Sequence, residues 1–224
     1  MQRDARAIMF DLDDTLYPIR RFVLSGFAAV ARHLEHTRGI DRRQAFRVLI
    51  GARRSQRGRE LQICQSHFDL APAVIPALVD VIRAHTPSLR LPRETREVLA
   101  RVRHNWRIGI VTNGMSHVQA RKIQALGLDT LVDTIVYATD LGTGKPDPVP
   151  FLEAALRLNV QPSQSVFVGD DPRCDIEGAA RVGMRTIHLD RGTSNYDVDA
   201  DATVMSLAEV PEIAERLVRQ RLSA

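Results

Sequence analysis

The chain of 224 residues contains few aromatic residues, few lysines and only two cysteines. Cys64 and Cys174 lie far apart and fit neither a disulfide framework nor a metal-binding spacing. We therefore interpret both as reduced thiols of a cytoplasmic protein. No apolar run is long enough to span a bilayer, and residues 1–6 lack the apolar segment of a secretory signal. We expect no membrane association.

The cationic residues are almost all arginines, since Lys122 and Lys145 are the only lysines. The formal net charge is +4, and the arginines are scattered along the sequence while aromatic residues make up 5%. Scattered arginines with few aromatic residues argue against a nucleic-acid-binding surface. A small anionic ligand or simple solubility explains the charge as well.

Short apolar strands alternate with helical patterns over most of the sequence. This alternation predicts a doubly wound parallel sheet of the Rossmann-like α/β class, with right-handed crossovers. A helix follows most of these strands. The expected strands are 7–10, 107–112, 134–137, 165–169, 184–188 and a short edge strand at 202–205.

The segment 18–89 interrupts this alternation directly after the first strand. Its apolar residues recur at helical spacing and none of it resembles a strand, although 51–58 has the composition of a polar, arginine-rich loop. A linker with two prolines, residues 86–92, lies at the end of this segment. We therefore expect an α/β core domain, residues 1–17 and 90–224, with an all-helical domain inserted at 18–89.

Polar residues follow four of the predicted strands. Because ligands bind at the carboxyl ends of the strands in an open parallel sheet, we expect these residues to share one edge. Each cluster alone has an ordinary structural explanation as a turn or a helix cap, but four on one edge are improbable by chance. The clusters are Asp11–Asp13–Thr15, residues 112–114, residues 142–148, and Gly169–Asp170–Asp171 with Asp175.

The residue types in these clusters suit phosphoryl transfer. Carboxylates at 11, 13, 170 and 175 can hold Mg²⁺ and leave one carboxylate as a nucleophile. Thr112 and nearby backbone N–H groups can hold phosphate oxygens, and Lys145 supplies a positive charge. A metal, a cation, oriented donors and an in-line nucleophile are the parts that this chemistry needs.

Four ordered motifs resemble those of the haloacid dehalogenase-like (HAD) hydrolase superfamily. The motifs are Phe10-Asp-Leu-Asp-Asp-Thr-Leu16, Thr112-Asn-Gly114, Lys145-Pro-Asp, and Gly169-Asp-Asp with Asp175-Ile-Glu-Gly-Ala179. Their order and spacing match across nearly the whole core, and the inserted segment is similar to the helical C1 cap of subfamily I. The resemblance implies a phosphatase of this superfamily.

The resemblance also implies roles for the residues of the first, second and fourth motifs. Asp11 would be the nucleophile that forms an aspartyl-phosphate. Asp13 would protonate the leaving oxygen and then activate water. Asp11, the backbone carbonyl of Asp13, and Asp170 would bind Mg²⁺. Thr112 and Asn113 would hold the phosphoryl group.

Further positions are expected to support this chemistry. Lys145 would offset the charge of Asp11 and of the phosphate, and would therefore serve both catalysis and phosphate binding. Asp175 would orient Lys145 or a metal-bound water. Asp171 stands where many relatives have Ser or Thr, and no role is assigned to it. Asp14 is interpreted as structural.

Several alternatives follow from the same residues. Dehalogenases of the superfamily lack the acid two residues after the nucleophile, so Asp13 favours a phosphatase. A phosphomutase on the same core remains open, as does a non-catalytic phospho-accepting signalling or interaction protein. A P-loop is excluded because Thr139 and Pro146 stand where that motif requires Gly and Ser or Thr. The expected partner is a small phosphorylated metabolite, either a nucleoside monophosphate or a sugar or organic-acid phosphate.

Overall fold

A computed structural model describes residues 6–192 and 198–222 of the chain. The chain forms two compact units: one consists of the residues up to Pro18 and from Arg90 onward, and the other of Ile19–Leu89. Within the described residues, no helix combines the length and the apolar composition needed to cross a membrane.

The larger unit is built on a six-stranded sheet whose paired strands all run parallel. The spatial order is β3-β2-β1-β4-β5-β6. This order places β1 in the middle and confirms the predicted doubly wound α/β fold. The strands are β1 (Ala7–Phe10), β2 (Arg107–Thr112), β3 (Thr134–Tyr137), β4 (Ser165–Gly169), β5 (Arg185–Leu189) and β6 (Ala202–Val204).

The smaller unit is helical and has its own apolar core. That core contains Phe27, Val30, Leu34, Leu49 and Leu78, all of which are buried. The apolar residues of the first helix recur at three- and four-residue intervals, which places them on one side of it. The helices are α1 (Arg20–Arg38), α2 (Arg42–Ser55), α3 (Glu60–His67) and α4 (Val74–Ala84).

Helices of the larger unit connect its parallel strands. The core around these helices includes Met9 of β1, Phe167 of β4, and Phe151, whose ring meets that of Phe167 edge-on with centroids 4.9 Å apart. The helices are α5 (Arg93–Val102), α6 (Ser116–Leu126), α7 (Pro148–Arg157), α8 (Gly178–Arg181) and α9 (Val210–Leu222).

The register of the central strands sets the level at which the polar residues begin. Phe10, the last residue of β1, pairs with Ile110 on one side and with Val168 on the other. All four residues of β1 are fully buried. Asp11 continues the ladder for one more bond, its N–H donating to the carbonyl of Val168 at 2.9 Å. The first carboxylate therefore emerges level with the end of β4.

Two segments differ from the sequence expectation. The segment expected as a loop from residue 51 is helical as far as Ser55, because Ala52 is buried and Arg53 donates to Glu60 at 2.9 Å. The helix expected at about 174–182 begins instead as a π-helical turn over Pro172–Glu177. In this turn the N–H of Ile176 donates to the carbonyl of Asp171, five residues earlier, at 3.3 Å. This spacing is that of a π-helix, and the α-helix starts only at Gly178.

Candidate active site

A small open cavity of about 230 Å³ lies where β1, β2 and β4 end. Eight of the nine residues that line it belong to the polar clusters predicted from the sequence, and Cys174 is the ninth. The lining residues are Asp11, Asp13, Thr112, Asn113, Lys145, Asp170, Asp171, Cys174 and Asp175. The structure thus brings the predicted site residues together.

Lys145 lies between two buried carboxylates. Its Nζ donates to Asp11 Oδ1 at 2.6 Å and to Asp175 Oδ1 at 2.7 Å. Burial alone would lower the pKa of Lys145, but the two carboxylates raise it above its ordinary value, so this side chain is an ammonium. Burial raises the pKa of Asp11 to about 7 although Lys145 opposes the rise. One cation is therefore shared by two buried carboxyl groups.

Gly169 gives Asp175 the room to reach Lys145. A Cβ atom on Gly169 would lie 2.3 Å from Asp175 Oδ2 and 2.4 Å from its Cβ, distances that real structures do not tolerate. The same Oδ2 accepts the backbone N–H of Asp171 at 3.1 Å. The last residue of β4 must therefore be glycine for Asp175 to keep this position.

Asp11, Asp170 and Asp175 form a compact acidic cluster. One carboxylate oxygen of each lies within 4.8 Å of the others. Burial, followed by the charge of Asp11, raises the pKa of Asp170 to about 7, while a hydrogen bond from Thr15 Oγ1 at 3.1 Å opposes the rise. Closely spaced, poorly solvated carboxylate oxygens are the ligands that Mg²⁺ takes. The donor set thus fits a divalent cation.

The carboxylate of Asp13 accepts three hydrogen bonds. Tyr17 Oη donates to Oδ1 at 2.5 Å, while Lys122 Nζ and Gln119 Nε2 donate to Oδ2 at 2.7 Å and 3.0 Å. Burial, followed by the charge of Asp13, raises the pKa of Tyr17 far above its ordinary value, so its hydroxyl remains a donor.

The turn after β1 brings Tyr17 back to Asp13. Asp14 has a φ of 59°, in the left-handed region that aspartate tolerates, and its N–H donates to the Tyr17 carbonyl at 2.9 Å. Asp14 therefore closes the turn through its backbone, which agrees with the structural role expected for it.

Thr112 and Asn113 differ in what their side chains contact. The hydroxyl of Thr112 accepts a bond from Gln119 Nε2 at 2.6 Å. The side-chain amide of Asn113 instead pairs with the backbone of Lys145, accepting its N–H at 2.8 Å and donating to its carbonyl at 3.0 Å. Asn113 therefore fixes the loop that presents Lys145.

Asp171 caps the π-helical turn that follows it. Its Oδ1 accepts the backbone N–H groups of Arg173 at 3.0 Å and Cys174 at 2.7 Å. These are the N–H groups that a helix start leaves without an internal partner. Asp171 thus has a structural contact that the sequence analysis did not assign.

Sequence reasoning missed Tyr17, Gln119 and Lys122. One signal was available, because the chain contains only two lysines and both donate to carboxylates of this site. Gln119 and Lys122 also stand three residues apart on α6, a spacing that places two side chains on one side of a helix.

The sequence profile of the haloacid dehalogenase-like hydrolases matches residues 5–183. This match covers most of the chain, and the parallel sheet with the helical insertion after β1 agrees with it. The chain belongs to the haloacid dehalogenase-like hydrolases, as the resemblance of its four motifs predicted.

Individual relatives extend over nearly the same length. A glyceraldehyde 3-phosphate phosphatase from Methanopyrus kandleri is 31% identical over 212 residues, covering 84% of each chain. The structure of a HAD phosphatase from Thermococcus onnurineus is 26% identical, with a TM-score of 0.64, and the match covers 93% of this chain and 97% of that one. The structure of a 2-haloacid dehalogenase from Pseudomonas syringae is 27% identical, with a TM-score of 0.67, and the match covers 94% of this chain and 98% of that one.

Proposed function

We propose that this hydrolase is an Mg²⁺-dependent phosphatase that cleaves a small phosphomonoester through an aspartyl-phosphate on Asp11. The observation that carries the proposal is the pair of carboxylates in one cavity. Asp11 contacts the ammonium of Lys145, and Asp13, two residues later, lines the same cavity and is held by three donors. One carboxylate is suited to attack phosphorus and the other to move a proton.

Asp11, Asp170 and the backbone carbonyl of Asp13 are the proposed ligands of Mg²⁺. The close carboxylate oxygens of Asp11 and Asp170, and the raised pKa of each, support this assignment. When bound, Mg²⁺ neutralises charge on the phosphoryl oxygens and on the two carboxylates. Asp175 serves mainly to orient Lys145, since its Oδ1 accepts the ammonium.

In the first chemical step, a carboxylate oxygen of Asp11 attacks the phosphorus atom. The bond from phosphorus to the ester oxygen breaks, and Asp13 transfers a proton to that oxygen as it leaves. Lys145 stays protonated and balances part of the negative charge. The hydroxyl of Thr112 and the backbone N–H groups of residues 113 and 114 are the proposed phosphate donors.

In the second step, water attacks the phosphorus atom of the aspartyl-phosphate. Asp13, now ionised, removes a proton from this water, and the bond between phosphorus and Asp11 breaks. Inorganic phosphate leaves, and both carboxylates return to their starting states. The same side chain therefore acts as the acid and then as the base.

Asp13 favours a phosphatase over a dehalogenase, because displacement of halide does not require protonation of the leaving group. The small cavity of the α/β unit, about 230 Å³, suits the phosphoryl group and a few further atoms. The relative from Methanopyrus kandleri bears the name of a phosphatase of a three-carbon sugar phosphate. We therefore propose a small sugar or organic-acid phosphate as the substrate, in preference to a nucleoside monophosphate.

The test is a phosphatase screen with sugar phosphates, organic-acid phosphates, nucleoside monophosphates and p-nitrophenyl phosphate, with Mg²⁺ and with excess chelator. We expect release of phosphate that requires the metal and is fastest on a small alkyl phosphate. Full activity in chelator would disprove the metal assignment, and interconversion of phosphate positions without release would indicate a phosphomutase.

Acid-quenched phosphoprotein measurements separate the roles of the two carboxylates. Asp11→Asn should form no phosphoenzyme. Asp13→Asn should still be phosphorylated by p-nitrophenyl phosphate, whose leaving group needs little protonation, and should accumulate phosphoenzyme because water lacks its base. Asp129→Asn, an exposed acid in the turn after α6, is the matched control and should behave as wild type. Labelling of the active site in Asp11→Asn would refute the nucleophile assignment.

A further inference from the structure

Two donors from α6 act on the same oxygen of Asp13. Lys122 Nζ lies 2.7 Å and Gln119 Nε2 lies 3.0 Å from Oδ2, whereas Tyr17 Oη is bonded to Oδ1. A carboxylate oxygen has about two lone-pair positions. Lys122 and Gln119 therefore fill those of Oδ2, and Oδ1 retains one position beyond its bond to Tyr17.

The side chains of Lys122 and Gln119 are both buried, and buried polar groups need hydrogen-bond partners. Lys122 is 4% exposed and Gln119 is 3% exposed. Burying an ammonium is costly unless it is paired, so the bond to Asp13 accounts for a lysine at this place. Because α6 starts shortly after the turn at residues 112–114, the helix holds both donors beside that turn.

Gln119 also joins two parts of the site. Its Nε2 donates to Thr112 Oγ1 at 2.6 Å as well as to Asp13 Oδ2. The hydroxyl proposed to hold phosphate and the carboxylate proposed to move the proton are therefore linked through one amide. Their spacing is thus set by a side chain of α6.

We propose that Lys122 and Gln119 are positioning residues that hold Asp13 Oδ2, so that Oδ1 is the oxygen that meets the leaving group and the attacking water. This inference rests on the phosphatase function proposed above. Misplacing a reacting group by about 1 Å can slow a reaction by about 10²-fold, so loss of the Lys122 bond should weaken proton transfer by Asp13 without weakening phosphate binding.

The test compares single-turnover phosphorylation of Lys122→Met by β-glycerophosphate, an alkyl ester, and by p-nitrophenyl phosphate. Met keeps the unbranched shape but has no ammonium. We expect phosphorylation by the alkyl ester to slow about 10- to 100-fold more than by the aryl ester, with KM nearly unchanged. Gln124→Met, on the exposed side of α6, is the control and should match wild type. An equal loss on both esters, or no loss, overturns the inference.

A double-mutant cycle distinguishes positioning of Asp13 from general support of the fold. If Lys122 acts through Asp13, Lys122→Met should lower p-nitrophenyl phosphate turnover about tenfold in the wild-type background but less than about twofold in Asp13→Asn. Equal effects in the two backgrounds overturn the inference.

A second variant keeps the test decisive if Lys122→Met does not fold. Gln119→Met leaves the ion pair in place and should change the ratio of alkyl to aryl rates in the same direction, by a smaller factor. An unchanged ratio in a folded Gln119→Met protein overturns the inference. The two proposals also fail differently: wild-type protein that releases no phosphate refutes both, whereas active wild type with uniform losses in the variants refutes only the positioning role.

Discussion

Asp170 carries a charge that the folded protein solvates poorly. Its pKa rises from 3.8 to about 7, mainly through burial and then through the charge of Asp11. When folding raises the pKa of an acid, its ionised form destabilises the folded state. This cost is absent below the unfolded pKa and is complete above the folded pKa. The rise corresponds to about 4 kcal/mol at pH 8, an upper limit that local relaxation reduces.

Asp170→Asn removes this charge and keeps an oxygen for the hydrogen bond from Thr15. In the presence of chelator, the stability of the variant relative to wild type should therefore increase from pH 4 to pH 8, by about 2–4 kcal/mol. For a chain of this length each kcal/mol corresponds to about 2–4 °C in the midpoint of thermal unfolding. Scanning calorimetry at the two pH values measures the effect.

Addition of Mg²⁺ should reverse the order at pH 8. Binding stabilises wild type, whose ligands are complete, and stabilises Asp170→Asn much less. Asp129→Asn, an exposed control, should follow wild type in every condition. If Asp170→Asn is less stable than wild type in chelator at pH 8, and its relative stability does not grow with pH, then Asp170 is not the poorly solvated charge that its burial indicates.

Three further substitutions test individual contacts. Gly169→Ala should lower the free energy of unfolding in urea by about 1–3 kcal/mol and should lower kcat, because the added Cβ would displace Asp175. A variant that is as stable and as active as wild type would contradict this. Tyr17→Phe should lower kcat about tenfold with little change in KM, since it removes a bond to the Asp13 carboxylate, and unchanged kcat would show that this bond is dispensable. Asp171→Ala should lower the free energy of unfolding by about 0.5–2 kcal/mol, because the helix cap is lost, but should leave the Mg²⁺ affinity measured by calorimetric titration unchanged. A tenfold loss of Mg²⁺ affinity would instead indicate that Asp171 is a metal ligand.

Much of the α/β unit could be predicted from local sequence patterns. Buried parallel strands are continuous apolar runs, and Ala7–Phe10 and Ser165–Gly169 have this composition and end at polar residues. The π-helical turn could not be predicted, since it depends on the bond from Ile176 N–H to the Asp171 carbonyl and no residue type specifies that spacing. The last turn of α2 was expected as a loop because of Gly51 and the polar residues after it, although Ala52 and Arg53 are good helix formers. The contact of Arg53 with Glu60, which supports this turn, is not visible in the sequence.

The site was predictable where the topology alone determines a position. Asp11, Thr112 and Asp170 come at or just after the ends of neighbouring parallel strands, so their common edge follows from the fold class. Lys122 was not predictable in this way, because its contact depends on the rotation of α6 about its own axis. The contact of Tyr17 with Asp13 was not predictable either, because it depends on the left-handed backbone conformation of Asp14 in the turn between them.

The central position of β1 has a consequence for the order of events during synthesis. Both partners of β1 come much later in the chain, starting at Arg107 and Ser165, whereas residues 19–89 contain a core of their own. We therefore expect the helical segment to fold on the ribosome while the four apolar residues of β1 are still unpaired, since neither neighbouring strand has emerged. A nascent chain stalled before β2 has emerged should be cut by protease near Phe10 but protected within the helices. Protection at both places would mean that β1 finds a temporary partner first.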